Sequence, residues 1–262
     1  MTSPETTDDE HSPDEMSFLD HLEELRWRVV KILVGLVIGS AICWYFIDWI
    51  MNVVLLGPVV NINQNLAPGQ QPIHLQNLKP FGQVFLYMEV AFVGGLVLSI
   101  PNLLYQIWAF IAPGLMPKER KHIAAIVFFT SFCFLAGIAF AYFVMLPSAM
   151  TFFSSFGTVE IENNIAINEY MSFIISVMLG AGVVFELPMV SWFLSKLGIL
   201  TPEFMRQYRR HAVVAILILS ALLTPGTDPI SMVLLTIPLV LLYELSIGIS
   251  AMAARSAGKS KS

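Results

Sequence analysis

Three carboxylates stand where their neighbours make them chemically useful: Glu24, Glu119 and Glu186. Glu119 lies in Lys118-Glu119-Arg120-Lys121, within a short polar run from Phe110 to His122 that separates two long apolar stretches. Proline lacks the N–H that continues a helix, and glycine tolerates positive φ, so Pro113, Gly114 and Pro117 predict a turn here. An acid at the centre of a basic cluster on such a turn is a docking point for an incoming cation. Glu24 shares one helical face with His21 and Arg28, a polar face opposite Phe18, Leu19, Leu22 and Leu25. Each acid also has a local alternative: Glu24 can pair with Arg28 at i, i+4, and Glu119 with Arg120 or Lys121. An exposed pair of that kind contributes less than about 1 kcal/mol. Spacing alone leaves both readings open.

Glu186 points to different chemistry. It sits inside an apolar stretch between Tyr170 and Lys196, about 15 Å from the charged end at 1.5 Å per residue. Inserting a carboxylate at that depth costs roughly 2.5–3.5 kcal/mol. Pro188 frees a backbone carbonyl one turn earlier, so a bent, hydrated segment is expected. Ionisable groups so placed are the default place to look for function, here in a wet concavity; a protonated glutamic acid hydrogen-bonded within a helix bundle is the alternative. Glu89 and Glu244 lie nearer the ends of their stretches, where a carboxylate reaches the headgroups.

The elements that must position these groups are membrane helices. The 262 residues are 56% hydrophobic and only 13% charged, with a mean hydropathy of +0.72, whereas soluble domains carry about 25% charged residues. The composition predicts an all-α polytopic membrane protein. Four long apolar stretches fall at about residues 29–51, 84–111, 123–146 and 170–197, the third closed by Pro147 and the fourth capped by Asn168. Two more are short. From His211 to Pro225 and from Asp228 to Glu244 there is room for only about 18–22 Å of helix against a hydrocarbon core of about 30 Å. The expected architecture is therefore six transmembrane helices, the last two short, which implies a locally thinned bilayer or shelter by protein. Residues 57–82, rich in Pro, Asn and Gln, and residues 148–169, which lack Lys and Arg, read as loops on the opposite side from the cations.

Thirteen of the fourteen Lys and Arg residues, all except Lys79, then fall on one side: Arg26, Arg28 and Lys31, the 118–121 turn, Lys196 to Arg210, and the C-terminal tail. The positive-inside rule makes that side cytoplasmic, with both termini there. An odd number of passes would destroy the bias. Residues 1–16 read as a disordered acidic tail without the basic start and apolar core of a signal peptide. Residues 17–252 form one membrane domain, opened by a capping box at Ser17 and Asp20 with an amphipathic segment at the interface, and residues 253–262 form a basic tail.

Enzyme chemistry has no constellation to rest on. The five histidines are scattered, with no metal-ligand spacing, nucleophile elbow, P-loop or dinucleotide fingerprint. No cofactor and no nucleic-acid partner is expected. Cys43 and Cys133 each lie in an apolar stretch, where a free thiol behaves as a small hydrophobe. A rival reading is a small ion-coupled secondary transporter using Glu186 as a midplane ion site. Such folds show paired interrupted helices in related halves, and no internal repeat is visible.

In order along the chain, His21-Leu-Glu-Glu-Leu-Arg-Trp-Arg28, Tyr105-Gln-Ile-Trp-Ala-Phe-Ile-Ala-Pro-Gly-Leu115 with Lys118-Glu-Arg120, Phe140-Ala-Tyr-Phe-Val144, Phe185-Glu-Leu-Pro188, and Leu222-Leu-Thr-Pro225 followed by Asp228 form a set. By these stretches the sequence resembles the TatC subunit of the twin-arginine protein translocase, from about Phe18 to Ser250. The resemblance implies a receptor that binds signal peptides carrying paired arginines and helps to move folded proteins across the cytoplasmic (inner) membrane, driven by the proton gradient. It assigns the signal-peptide site to Glu24 and Glu119, with His21, Leu25, Arg26, Phe110, Pro113, Lys118 and Arg120 around them. It assigns an intramembrane polar and partner site to Gln106, Glu186, Leu222, Leu223, Thr224 and Asp228. The implied partners are single-span subunits of the TatA and TatB type and membrane lipid, in a homo- and hetero-oligomer.

Overall fold

The computed structural model of the chain describes residues 18–66, 72–111, 123–155, 164–223 and 229–258. Helix dominates because a backbone in hydrocarbon must satisfy its own N–H and C=O groups. The first helix, α1 (Phe18–Tyr45), runs unbroken from the polar face carrying Glu24 into the first apolar stretch. The interfacial segment expected ahead of the first pass is therefore part of the pass itself, since no helix breaker stands between Leu25 and Val29. Ser17, half of the expected capping box, lies outside the described residues, as does the N-terminal tail before it.

Beyond Phe46, α2 (Ile47–Trp49) leads into a π-helical stretch at Ile50–Leu55 and then α3 (Gly57–Gln64). Residues 57–66 and 72–82 are thus more ordered than a polar loop: after α3 comes the strand β1 (His74–Gln76). Val59 and Ile73 are buried here. The Asn63 side chain clasps the Ile73 backbone, donating to its carbonyl and accepting from its N–H, both at 2.9 Å. The polar composition hid this because an asparagine does the anchoring.

The second pass is α4 (Gly82–Ile111), continuous through Pro101. The third is α5 (Ile123–Phe140), a π-helical stretch at Ala141–Met145, and α6 (Leu146–Ser155). Pro147 does not close this pass as expected. The widened turn before it resets the hydrogen-bond register, so Pro147 falls in the first turn of α6, where its missing N–H is not needed. Strand β2 (Asn164–Ala166) pairs in parallel with β1, Leu75 opposite Ile165, and runs straight into α7 (Ile167–Val184). That direct entry leaves Asn168 inside the first turn instead of capping it; Ala166 holds the cap position and makes no side-chain hydrogen bond. After a break at Phe185 and Glu186, α8 (Leu187–Lys196) completes the fourth pass.

Thr201 caps α9 (Pro202–Gln207), its hydroxyl accepting the Phe204 N–H at 3.2 Å. The fifth pass is α10 (Arg209–Leu223), only 15 residues long, or about 22 Å. The sixth, α11 (Pro229–Gly258), has 30 residues and departs from the short helix expected. Glu244 does not end it, because its carboxylate accepts from Arg209 Nη2 at 2.8 Å. The helix continues past it and buries Ser246, Ile247 and Ser250, with the Ser250 hydroxyl bonded to that of Ser195 on α8 at 2.7 Å. The apolar span is Met232–Met252, and helix runs on through residues 253–258, where a basic tail was expected to begin.

Among the described residues five helical spans are long and apolar enough to cross a membrane, and the shorter α10 makes six passes. Their outer surfaces are apolar and exposed, with Val37, Phe128, Phe143 and Leu222 each more than 65% accessible, as a lipid-facing surface requires. Inside, two crossings bring backbones together. A Cβ on Gly39 would lie 2.6 Å from the Gly95 carbonyl oxygen, and one on Gly137 would lie 2.6 Å from that of Ala181. At the end of the bundle bearing the β pair, two phenols accept the task of satisfying carbonyls that the π-helical stretch leaves open. Tyr142 donates to the Val54 carbonyl and Tyr170 to that of Leu55, each at 2.8 Å.

Candidate functional site

The site forms at the other end, where the start of α1 lies against the last turns of α4. Arg28 is its hub. Its Nε donates to Glu24 Oε1 at 2.9 Å, and its Nη2 bonds the same oxygen. Nη2 also donates to the Ala109 carbonyl at 3.1 Å, and Nη1 to Gln106 Oε1 at 3.4 Å. The contact to Ala109 follows from helix chemistry: the last carbonyls of a helix have no partner within it and carry partial negative charge. A guanidinium with five donors in a planar fork reaches the carboxylate and the helix end together. The Glu24 side chain is 24% accessible and that of Arg28 18%, so the pair sits at an edge, neither sealed nor fully in water.

The segment that carries Glu119 lies outside the described residues, together with Pro113, Lys118 and Arg120. Its two ends are fixed nonetheless. Trp108, near the end of α4, is buried against Ile126, Val127 and Met189, with Ile123 packed on the same cluster. Its ring meets Trp192 and Phe193 of α8 edge-on, with centroids 6.4 Å and 5.4 Å apart. Arg28 and this aromatic cluster thus hold the helix end from two sides. Leu25 and Arg26 are exposed beside Glu24, and Phe110 is half-buried in the last turn of α4. His21 lies one turn before Glu24 on α1.

Gln106, grouped by resemblance with the intramembrane site, is buried and accepts from Arg28 instead. Glu186 stands in the break between α7 and α8, with φ −77° and ψ −9°. Its Oε1 is buried without a hydrogen-bond partner among the described residues. Phe185 beside it stacks on Phe140, centroids 5.7 Å apart. Leu223, at the end of α10, lies over Gly180 of α7, whereas Leu222 is 77% accessible. Thr224 and Asp228 lie outside the described residues.

Sequence reasoning saw Arg28 only as the i+4 neighbour that could neutralise Glu24. That pairing is present, but the bonds to Ala109 and Gln106 were not foreseen. The available signal was a helix C-terminus near the same surface, since such ends attract cations. Among the described residues no group of three His, Cys, Asp or Glu side chains is placed to hold a metal ion, and Cys43 and Cys133 are both free thiols. A cavity of about 630 Å³ between the first, second and fourth passes has an apolar lining, Cys43, Leu55, Gly94 and Met178 among it, and neither Glu24 nor Glu186.

Comparison with known proteins places this arrangement. The model of the family described as Sec-independent protein translocase protein (TatC) matches residues 20–238. A Sec-independent protein translocase protein TatC from Koribacter versatilis is 35% identical over 235 residues, covering 90% of this chain and 85% of the relative. The TatC of Carboxydothermus hydrogenoformans is 37% identical over 235 residues, covering 90% and 93%. A crystal structure of a twin arginine translocase receptor, TatC, superposes with a TM-score of 0.74 at 31% identity, covering 89% of this chain and 99% of that one. With the family matched along most of its length and the same six-pass architecture, this multi-pass membrane protein belongs to the TatC family of Sec-independent protein translocase proteins.

Proposed function

We propose that this chain is the receptor for twin-arginine signal peptides and the core subunit that supports transport of folded proteins across the cytoplasmic membrane. Glu24 and Glu119 each accept one arginine of the signal. The observation that carries this reading is the Arg28 link, which ties the helix bearing Glu24 to the end of α4, the helix that precedes Glu119 in the sequence. Glu24 and the acid that the sequence supplies just beyond the end of α4 suit a tandem of guanidinium groups, because a carboxylate accepts the planar arginine fork at two points. At roughly 1.5–3 kcal/mol per charged hydrogen bond, two such contacts discriminate without holding the ligand alone. The apolar part of the signal adds affinity by lying against the spans.

The same reading puts both termini and the Glu24 end in the cytoplasm, as the cation distribution requires. It assigns Glu186, one of whose oxygens has no hydrogen-bond partner among the described residues, and the end of the fifth pass, Leu222 to Thr224 with Asp228, to contacts with TatA-type and TatB-type single-span partners. The test is photocrosslinking of a twin-arginine precursor to variants that insert normally. Glu24→Gln or Glu119→Gln should each abolish the crosslink. Undiminished crosslinking in both would end the receptor assignment at these residues.

A further inference from the structure

Glu24 is not an empty acceptor. Arg28 already supplies it with a guanidinium whose Nε and Nη2 both address Oε1. We propose that Arg28 is a specificity-determining residue of the signal site: an internal guanidinium that holds Glu24 until an arginine of the incoming signal displaces it. The inference rests on the reading of Glu24 as an arginine acceptor and adds the mechanism by which that acceptor refuses lysine.

The reasoning starts from what a newcomer must replace. An isolated carboxylate at a membrane edge attracts any cation, lysine as well as arginine. A carboxylate already engaged by a two-donor fork yields only to a group that makes an equivalent fork. The lysine ammonium is a compact, strongly hydrated point charge and does not; a second guanidinium does. Arginine selectivity therefore comes from competition within the protein, in the manner of specificity gained by excluding the wrong partner.

The geometry also makes the exchange feasible. On leaving Glu24, Arg28 retains the Ala109 carbonyl at 3.1 Å and Gln106 Oε1 at 3.4 Å, both on the last turns of α4. A cation withdrawn there sits at a helix C-terminus, where the terminal carbonyls favour it. It need not be released into hydrocarbon. The partial accessibility of both side chains gives the incoming group an approach to the pair. Gln106 is buried, which suits an acceptor kept for the displaced guanidinium.

The experiment compares binding of two versions of one fluorescent signal peptide, with paired arginines or paired lysines, to the full chain in inside-out membrane vesicles. Arg28→Gln removes this guanidinium from Glu24. The paired-lysine peptide should bind more tightly, and the ratio of the two dissociation constants should fall by about tenfold, the effect of one charged hydrogen bond. Arg28→Lys keeps the charge but not the fork, and its ratio should fall as well. If Arg28→Gln weakens both peptides equally, or if Arg28→Lys keeps the wild-type ratio, the competition mechanism is overturned and Arg28 is only a brace. Should Arg28→Gln fail to accumulate, the Lys variant decides between the same two outcomes. Glu24→Gln separates the two layers. If it leaves both peptides binding as before, the acceptor reading itself fails; if it removes arginine binding while the Arg28 ratios stay constant, only the competition is lost.

Discussion

The two phenols at the β-pair end offer a test in which the fold and the signal site should respond separately. Tyr170 is 2% accessible, and its hydroxyl donates to the Leu55 carbonyl at 2.8 Å. Tyr170→Phe keeps the ring and its packing, removes one neutral hydrogen bond and leaves a buried carbonyl without a donor. A typical net bond contributes about 0.5–1.5 kcal/mol, and an orphaned buried acceptor costs about 1–3 kcal/mol. Interhelical bonds in membrane proteins average nearer 0.6 kcal/mol, with a maximum near 1.7. The expected loss is about 1–1.5 kcal/mol, well below the roughly 3–5 kcal/mol of a ring-to-alanine truncation. Tyr142→Phe removes the bond to the adjacent carbonyl, Val54, so the double variant should be non-additive by at least about 0.5 kcal/mol. Reversible unfolding by denaturing detergent in mixed micelles would measure all three. Since Leu55 lies beyond the far end of the first pass from Arg28, twin-arginine binding by Tyr170→Phe should equal wild type. Unchanged stability in Tyr170→Phe, or a loss as large as that of Tyr170→Ala, would refute the assignment of the hydroxyl as the anchoring group.

Two further outcomes follow from features already described. Gly137→Ala would place a methyl 2.6 Å from the Ala181 carbonyl oxygen, so α5 and α7 must separate. The expected cost is about 1–3 kcal/mol, as for other overpacked interiors, and a thermal unfolding midpoint equal to wild type would disprove the close crossing. Glu186→Ala should leave crosslinking to a twin-arginine precursor intact while export, followed by signal removal from that precursor, is lost; wild-type export would remove Glu186 from the partner site.

The architecture was legible where composition alone dictates it. Apolar stretches of spanning length and one-sided cations are enough to count six passes, because neither depends on tertiary contacts. The departures occur where tertiary contacts override a local signal. Pro147 reads as a stop, but a widened turn just ahead of it carries the helix onward. Glu244 reads as the end of a span, yet Arg209 on the neighbouring helix donates to its carboxylate and the helix continues. Residues 57–82 read as loop because the side chain that anchors Ile73, Asn63, is itself polar. At the site, the i+4 relation of Glu24 and Arg28 was visible in one dimension. The bonds from Arg28 to Gln106 and Ala109 join residues far apart in sequence, and nothing in either local pattern announces that α1 and α4 meet there.

The pairing of β1 with β2 has a consequence for how the chain is assembled. A parallel ladder cannot be closed by a tight hairpin, and here the intervening chain contains the whole second and third passes. Leu75 waits for Ile165 until both of those segments have been threaded through the bilayer and the polypeptide has emerged a second time. The three-residue ladder is therefore a late stitch in biogenesis, and any chain stalled before it would expose two unmatched strand edges to the far compartment.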